Sequence, residues 1–327
     1  MTRRRVITLI ATSAVTSPFA VRAQQGAMPV IGFLNAASPG PFANLVAGFR
    51  KGLGETGFVE GRNIAIEFRW AEGRYERLPG MARELVQRPV ALLVTGGGAA
   101  PALAAKEATS IIPIVFSMGG DPVAAGLVRS FNRPGGNLTG VAHLSTALEA
   151  KRLELIYTMI PTVNVIATLF NPDNPNVQVQ LKEMDEAARR LGVRVVPFQA
   201  RNEAELETVF ATMAQQRVGA LLVGSDPFLY SLRNRLVALA ARYKLPAIYE
   251  FKEFAATGGL MSFGTDLADM YRQIGVYTGR ILKGAKPADL PVVQPTRFAM
   301  VVNAKTAKAL GIRIPNEVLQ RADELIE

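Results

Sequence analysis

Asn132-Arg133-Pro134-Gly135-Gly136-Asn137-Leu138-Thr139-Gly140-Val141 decides the reading of this 327-residue chain. Pro-Gly-Gly punctuates the backbone, and the Leu138–Val141 run behind it can pass as an extended segment between two bodies. On its N-terminal side, short β-rich runs alternate with amphipathic helical stretches, the pattern of a parallel sheet covered by helices. Strands are expected at Val30–Leu34, Asn63–Phe68, Val90–Thr95 and Pro113–Phe116, with helices at Phe42–Thr56, Tyr75–Gln87 and Pro101–Ala108. The alternation resumes on the C-terminal side. There, helices at Leu144–Met159, Val177–Leu191, Glu203–Gln215 and Phe228–Tyr243 interleave with strands at Val163–Phe170, Val193–Phe198, Ala220–Val223 and Ala247–Tyr249. The two halves repeat a pattern and do not align as a sequence repeat. The expected fold class is α/β, with two doubly wound parallel-sheet lobes.

Two further stretches share the character of the first. Gly258-Gly259-Leu260-Met261-Ser262-Phe263-Gly264 joins a glycine pair to a short apolar strand, and Pro287–Pro295 is rich in proline ahead of the strand-like Phe298–Val302. Read as crossings, the three form a three-segment hinge, and the helix Met270–Leu282 returns to the first lobe. The first lobe then comprises residues 28–139 with 264–290, and the second 140–263 with 291–327. Three ordinary surface loops are the alternative.

Residues 1–23 read as an export leader. Arg3, Arg4 and Arg5 precede an apolar stretch from Val6 to about Ala20, and Val21-Arg22-Ala23 places small residues for cleavage before Gln24. Thr2-Arg3-Arg4-Arg5-Val6-Ile7 also resembles a twin-arginine signal, and the general secretory route fits as well. The mature protein is therefore expected in the periplasm. The leader carries four arginines and no acid, so the net charge falls from +10 to +6 on its removal. The remaining basic residues are dispersed, which argues against nucleic acid as a partner. With 49% hydrophobic and 20% charged residues the chain can bury a large core, and it has no cysteine for disulfides, thiol catalysis or a Cys-based metal site. A monomer is expected.

Ligands of open α/β sheets sit beyond the carboxyl ends of the strands, so the candidate residues come from post-strand loops. In the first lobe these are Asn35 and Ser38 after the first strand, Gly97 and Gly98 after the third, and Asp121 after the fourth. Ser38 can cap the following helix or help its amides receive a carboxylate. Gly96-Gly97-Gly98 can bring backbone N–H groups close to an anion, but Ala99-Ala100-Pro101 supplies no Walker lysine, and no GxGxxG follows the first strand. Asp121 before Pro122 suits a turn. In the second lobe the candidates are Asn171 and Asn174, then Ser225 and Asp226, then Tyr249 and Glu250. Asp226 can cap a helix or neutralise a ligand ammonium. His143 is the only histidine and there is no G-x-S-x-G elbow, so neither a multi-histidine metal site nor a serine nucleophile is expected. No cofactor and no enzymatic activity are expected.

The crossings, the strand-end loops and several short segments resemble the type I periplasmic binding proteins. More narrowly, they resemble the ABC-transporter substrate-binding family that includes tryptophan- and tyrosine-binding receptors. The matching residues are Ile31-Gly32-Phe33-Leu34, Gly61-Arg62-Asn63, Thr95-Gly96-Gly97, Gly120-Asp121-Pro122-Val123, Asn132–Val141, Phe170-Asn171-Pro172, Gly224-Ser225-Asp226-Pro227 and Gly259-Leu260-Met261-Ser262. The resemblance spans nearly the whole mature chain. It implies capture of a small-molecule ligand by hinge closure, with ABC permease and ATPase subunits at the inner membrane as partners. For an amino acid, aromatic or branched-chain, Ser38 and the Gly97–Gly98 amides would hold the carboxylate. Asp226 with Glu250 would take the ammonium, and Tyr249 would pack the side chain. A related organic acid is an alternative ligand, and a sensing receptor for a membrane kinase or cyclase is an alternative role.

Overall fold

The computed structural model describes residues 28–327; the leader and its cleavage point lie outside the described residues. Two sheets organise the chain. The first contains β1 (Val30–Asn35), β2 (Ala65–Trp70), β3 (Leu92–Gly96), β4 (Ile114–Met118) and β5 (Leu138–Ala142), in the order β2-β1-β3-β4-β5 and parallel throughout. Helices α1 (Ala43–Glu55), α2 (Leu78–Val86) and α3 (Ala99–Ala108) connect its first four strands. β3 and β4 are buried on every residue, which explains their unbroken apolar sequences. The edge strand β2 is half-buried and admits Glu67 and Arg69.

The second sheet has the order β12-β11-β10-β9-β8-β6-β7. Its elements are α4 (Glu149–Met159), β6 (Val165–Phe170), α5 (Val177–Leu191), β7 (Arg194–Gln199), α6 (Glu203–Gln215), β8 (Ala220–Val223), α7 (Pro227–Ser231), α8 (Arg233–Arg242), β9 (Ala247–Tyr249), α9 (Lys252–Ala256) and β10 (Met261–Gly264). After α10 (Leu267–Leu282), the tail adds β11 (Ala299–Asn303), α11 (Ala304–Ala309), α12 (Asn316–Arg321) and β12 (Glu324–Ile326). Among the described residues, only the β10–β11 pair runs antiparallel. Pro197 sits in β7 at the sheet's edge, where a missing N–H is tolerated.

α10 packs against α1, so the chain does return to the first lobe after β10. Glycines allow that contact. A Cβ on Gly52 would lie 1.9 Å from the Arg272 carbonyl oxygen, and one on Gly275 would lie 2.1 Å from that of Phe49. The two backbones approach too closely for any side chain at either position.

The crossings differ in detail from the expectation. Leu138–Ala142 completes the first sheet before the chain leaves it, and Met261–Gly264 likewise belongs to the second sheet. The passages fall just beyond these strands, at residues 143–144 and 265–266. In the third segment Val293 still bridges Val141 of the first sheet. Leu144, at the first passage, has φ +46°, a left-handed conformation that stops the following helix from starting there. One 3-10 turn at Ser145–Leu148 intervenes before α4. The single helix expected over 228–243 is instead α7 and α8, separated at Leu232.

Candidate ligand-binding cleft

Both sheets present the carboxyl ends of their parallel strands to one interlobe cleft. Its core positions follow the loops after β1 and β3, and after β6 and β8, where the strand order reverses in each sheet. The space between the lobes is a narrow slot with a cavity volume of about 50 Å³.

The lobes touch around this slot. Tyr75 of the first lobe donates its hydroxyl to Asp226 Oδ2 of the second at 2.9 Å. Arg233 donates to the Pro41 carbonyl at 3.3 Å, and its guanidinium lies over the Tyr230 ring. Tyr230 meets Phe42 edge-on, with centroids 5.2 Å apart. Four rings thus wall the slot: Phe42 and Tyr271 from the first lobe, and Tyr230 and Phe251 from the second.

Two carboxylates face the slot, and their environments differ. Asp226 Oδ1 caps α7 by accepting from the Phe228 and Leu229 amides at 2.8 and 3.0 Å. Its Oδ2 accepts from Tyr75, from Asn174 Nδ2 at 2.9 Å and from Asn171 Nδ2 at 3.4 Å. Five donors saturate the roughly four lone-pair positions of a carboxylate. Burial raises the Asp226 pKa against these donors, to about 6. Glu250 is less committed. Oε2 accepts from the Ser225 hydroxyl, and Oε1 lies 3.4 Å from His143 Nε2. Burial raises its pKa, but the His143 contact, Arg152 and Ser225 together outweigh burial and leave it below the ordinary value. Glu250 therefore stays ionised and keeps lone pairs open to the slot.

Behind Glu250 lies a fully buried ion pair, Arg152 Nη2 to Glu149 Oε1 at 3.0 Å. Burial pushes the Glu149 pKa up, and Arg152 pulls against it. The pair is self-neutralising, and among the described residues no Lys or Arg lines the slot.

On the first-lobe side, Gly98 (φ +91°) precedes α3 without any side-chain cap, so the first amides of that helix are open to an anion. Gly97 (φ +73°) turns the chain beside it, and a Cβ there would strike Asn35 Oδ1 at 2.4 Å. Ser117, Gly119, Ser145 and Asn176 add polar groups nearby.

Among the residues singled out in the sequence, the cleft gathers Gly97, Gly98, Asn174, Ser225, Asp226 and Glu250. Asn35 and Asn171 stand one layer behind. Asn35 bonds the Ala37 amide and the Tyr271 hydroxyl, and Asn171 bonds the Asp173 amide and Asp226. Ser38 lies off the lining and does not cap α1, whose N-cap is Phe42 without a side-chain bond. Asp121 is an exposed turn residue accepting from the Val123 and Ala124 amides at 2.7 and 3.3 Å. Tyr249 points away from the slot, stacked on Phe254 at 4.5 Å, because neighbouring strand residues face opposite sides. Phe42 and Tyr271 carry no local sequence signal beyond their apolarity, whereas Phe251 follows Glu250 in the loop after β9. Ser117 and Gly119, by contrast, flank the end of β4 and the strand-end rule could have found them.

The fold and cleft are those of a two-lobed solute receptor. A model of the family described as "ABC transporter substrate binding protein" matches residues 33–326, and the chain belongs to that family. A tyrosine-binding protein of Clostridioides difficile (strain R20291) is 28% identical over 267 residues, covering 81% of this chain and 76% of that protein. An ABC domain from Streptococcus pneumonia in complex with L-Trp is 29% identical, with a TM-score of 0.81 over 91% of this chain and 99% of that one. A substrate-binding protein with adhesive properties from Clostridium difficile, in its ligand-free, open form, is 25% identical with the same coverage and a TM-score of 0.61.

Proposed function

We propose that this protein captures an aromatic amino acid outside the cytoplasm and delivers it to the permease and ATPase of an ABC importer, without transforming it. The observation that carries this reading is the make-up of the slot: four aromatic rings, two carboxylates and, among the described residues, no lysine or arginine in its lining. A bare organic anion would meet Asp226 and Glu250 with no lysine or arginine in the lining to offset them. A zwitterion places its ammonium on the open lone pairs of Glu250, within the field of Asp226, and its carboxylate at the amides before α3 with Ser117 and Ser145. Its ring then lies among Phe42, Tyr230, Phe251 and Tyr271.

Hinge closure completes the site, because each lobe supplies part of it. The contacts from Tyr75 to Asp226 and from Phe42 to Tyr230 belong to the closed form. In keeping with closure, the chain superposes better on the L-Trp complex than on the open, ligand-free relative, at similar identity and coverage. The tyrosine-binding relative points to the same ligand class.

The test is titration calorimetry with L-tyrosine and L-tryptophan, alongside benzoate as an aryl acid without an ammonium. Micromolar or tighter binding of the amino acids, about −8 kcal/mol, with benzoate much weaker, is the expected result. Tight benzoate binding with no response to either amino acid would sink the assignment.

A further inference from the structure

Arg152 is fully buried, and its partners come from three separated parts of the chain. Nε and Nη2 meet Glu149, one helical turn earlier in α4. Nη2 also donates to the Ser145 carbonyl at 2.9 Å, immediately after the first crossing. Nη1 donates to the Phe263 carbonyl at 3.2 Å, immediately before the second. Nη2 further reaches Ser225 Oγ at 3.3 Å in the cleft. Ser225 Oγ donates in turn to Glu250 Oε2, while the Ser225 amide donates to Glu149 Oε1 at 3.2 Å. Glu250 closes the loop on His143, in the first crossing itself.

Charge neutralisation alone accounts for the Glu149–Arg152 pair. It does not account for the remaining donors, which go to the two crossings and to one cleft serine. The planar guanidinium fixes these groups in a single geometry. The Ser225 hydroxyl takes a hydrogen bond from Arg152 and gives its own proton to Glu250, so its orientation is set from both ends.

We propose that Arg152 is a positioning residue coupling occupancy of the cleft to both hinge crossings, with Ser225 as the link to Glu250. The inference rests on the capture reading above. A ligand ammonium that draws on Glu250 shifts Ser225, and through the guanidinium it biases the backbone at 145 and 263 together. The two crossings then respond as one element, as closure of a two-lobed receptor requires.

The experiment uses the mature protein, with L-tyrosine and L-tryptophan as probes. X-ray scattering reads compaction, and amide exchange reads protection at residues 143–146 and 263–266. Wild type is expected to compact and to gain protection at both crossings. Arg152→Met, unbranched and similar in length, is expected to bind at least tenfold more weakly and to lose the joint protection. Ser225→Ala leaves the Arg152 bonds to both carbonyls in place, so it keeps the interpretation open if Arg152→Met fails to fold. It is expected to lose ligand-linked protection at both crossings while its ligand-free exchange there stays as in wild type. Ligand-linked protection equal to wild type in Ser225→Ala, or in folded Arg152→Met, overturns the coupling and leaves the capture reading standing. No binding or compaction of wild type by either amino acid overturns the capture reading, and the coupling with it.

Discussion

Glu250→Gln isolates the ammonium contact. The amide keeps the shape of the carboxylate: its oxygen can still accept from Ser225, and its NH2 can face His143 Nε2, so the local bonds survive while the charge goes. A hydrogen bond to a charged group contributes about 1.5–3 kcal/mol. At roughly 1.4 kcal/mol per tenfold, L-tyrosine should bind about 10- to 150-fold more weakly. Calorimetry at pH 7.5 on both proteins measures this, with circular dichroism confirming an unchanged fold. A second ligand completes a cycle: 3-(4-hydroxyphenyl)propionate keeps the ring and the carboxylate and lacks the amine. It should bind wild type far more weakly than L-tyrosine does, and the substitution should cost it little further. Equal losses for the two ligands would refute the contact, because Glu250 would then act on the shape of the slot. No loss for L-tyrosine would refute it as well.

Four other outcomes follow from the same structure. Asp226 has its pKa raised to about 6, so protonation below that pH removes a negative charge from the slot; L-tyrosine affinity should fall by up to about fivefold between pH 6 and 5, as calorimetry at stepped pH would record. The same raised acid pKa has the opposite sign for the ligand-free fold. The folded state binds more protons than the unfolded state between about 6 and 3.8, so this group adds stability as pH falls through that window, up to about 3 kcal/mol, and melting curves from pH 6.5 to 5 should rise on its account. Tyr75→Phe removes the interlobe bond to Asp226 and should speed L-tyrosine release about tenfold or more; stopped-flow fluorescence of Trp70, the only tryptophan and 6.3 Å from Phe42, would read it. Gly52→Ala forces a Cβ against the Arg272 carbonyl and should destabilise the α1–α10 contact by about 1–3 kcal/mol in urea unfolding.

Much of the fold was legible because parallel strands buried on both faces leave unbroken apolar runs. Ala220–Val223, Ala247–Tyr249, Val177–Leu191 and Glu203–Gln215 fall where periodicity places them. The break at Leu232 and the left-handed Leu144 were not legible, since neither carries a Gly or Pro. At the cleft, the strand-end rule found six lining residues because topology fixes where strand ends lie. It overreached at Tyr249, where the alternation of faces turns the ring inward, and at Asp121, whose turn chemistry consumes its oxygens. Tyr271 could not be found by that rule. It sits on a helix that reaches the first lobe through a long-range crossing, and Phe42 comes from the turn before α1.

The two carboxylates divide the work that the sequence assigned to them jointly. Asp226 already accepts from α7, from Asn171 and Asn174, and from Tyr75 across the cleft, so a ligand ammonium gains its field without displacing a bond. Its single interlobe partner exists only when the lobes meet, which makes Asp226 a group for closure. Glu250 has the open lone pairs and a pKa held low by His143, Arg152 and Ser225, which suits it to the recognition role proposed for it. A ligand shifts a conformational equilibrium only by its differential affinity for the two states. In the proposed capture that difference would come from the placing of the amides before α3 and the Glu250 carboxylate on opposite lobes. On the proposed reading, a molecule carrying both charges engages both at once, whereas a simple aryl acid or amine engages only one.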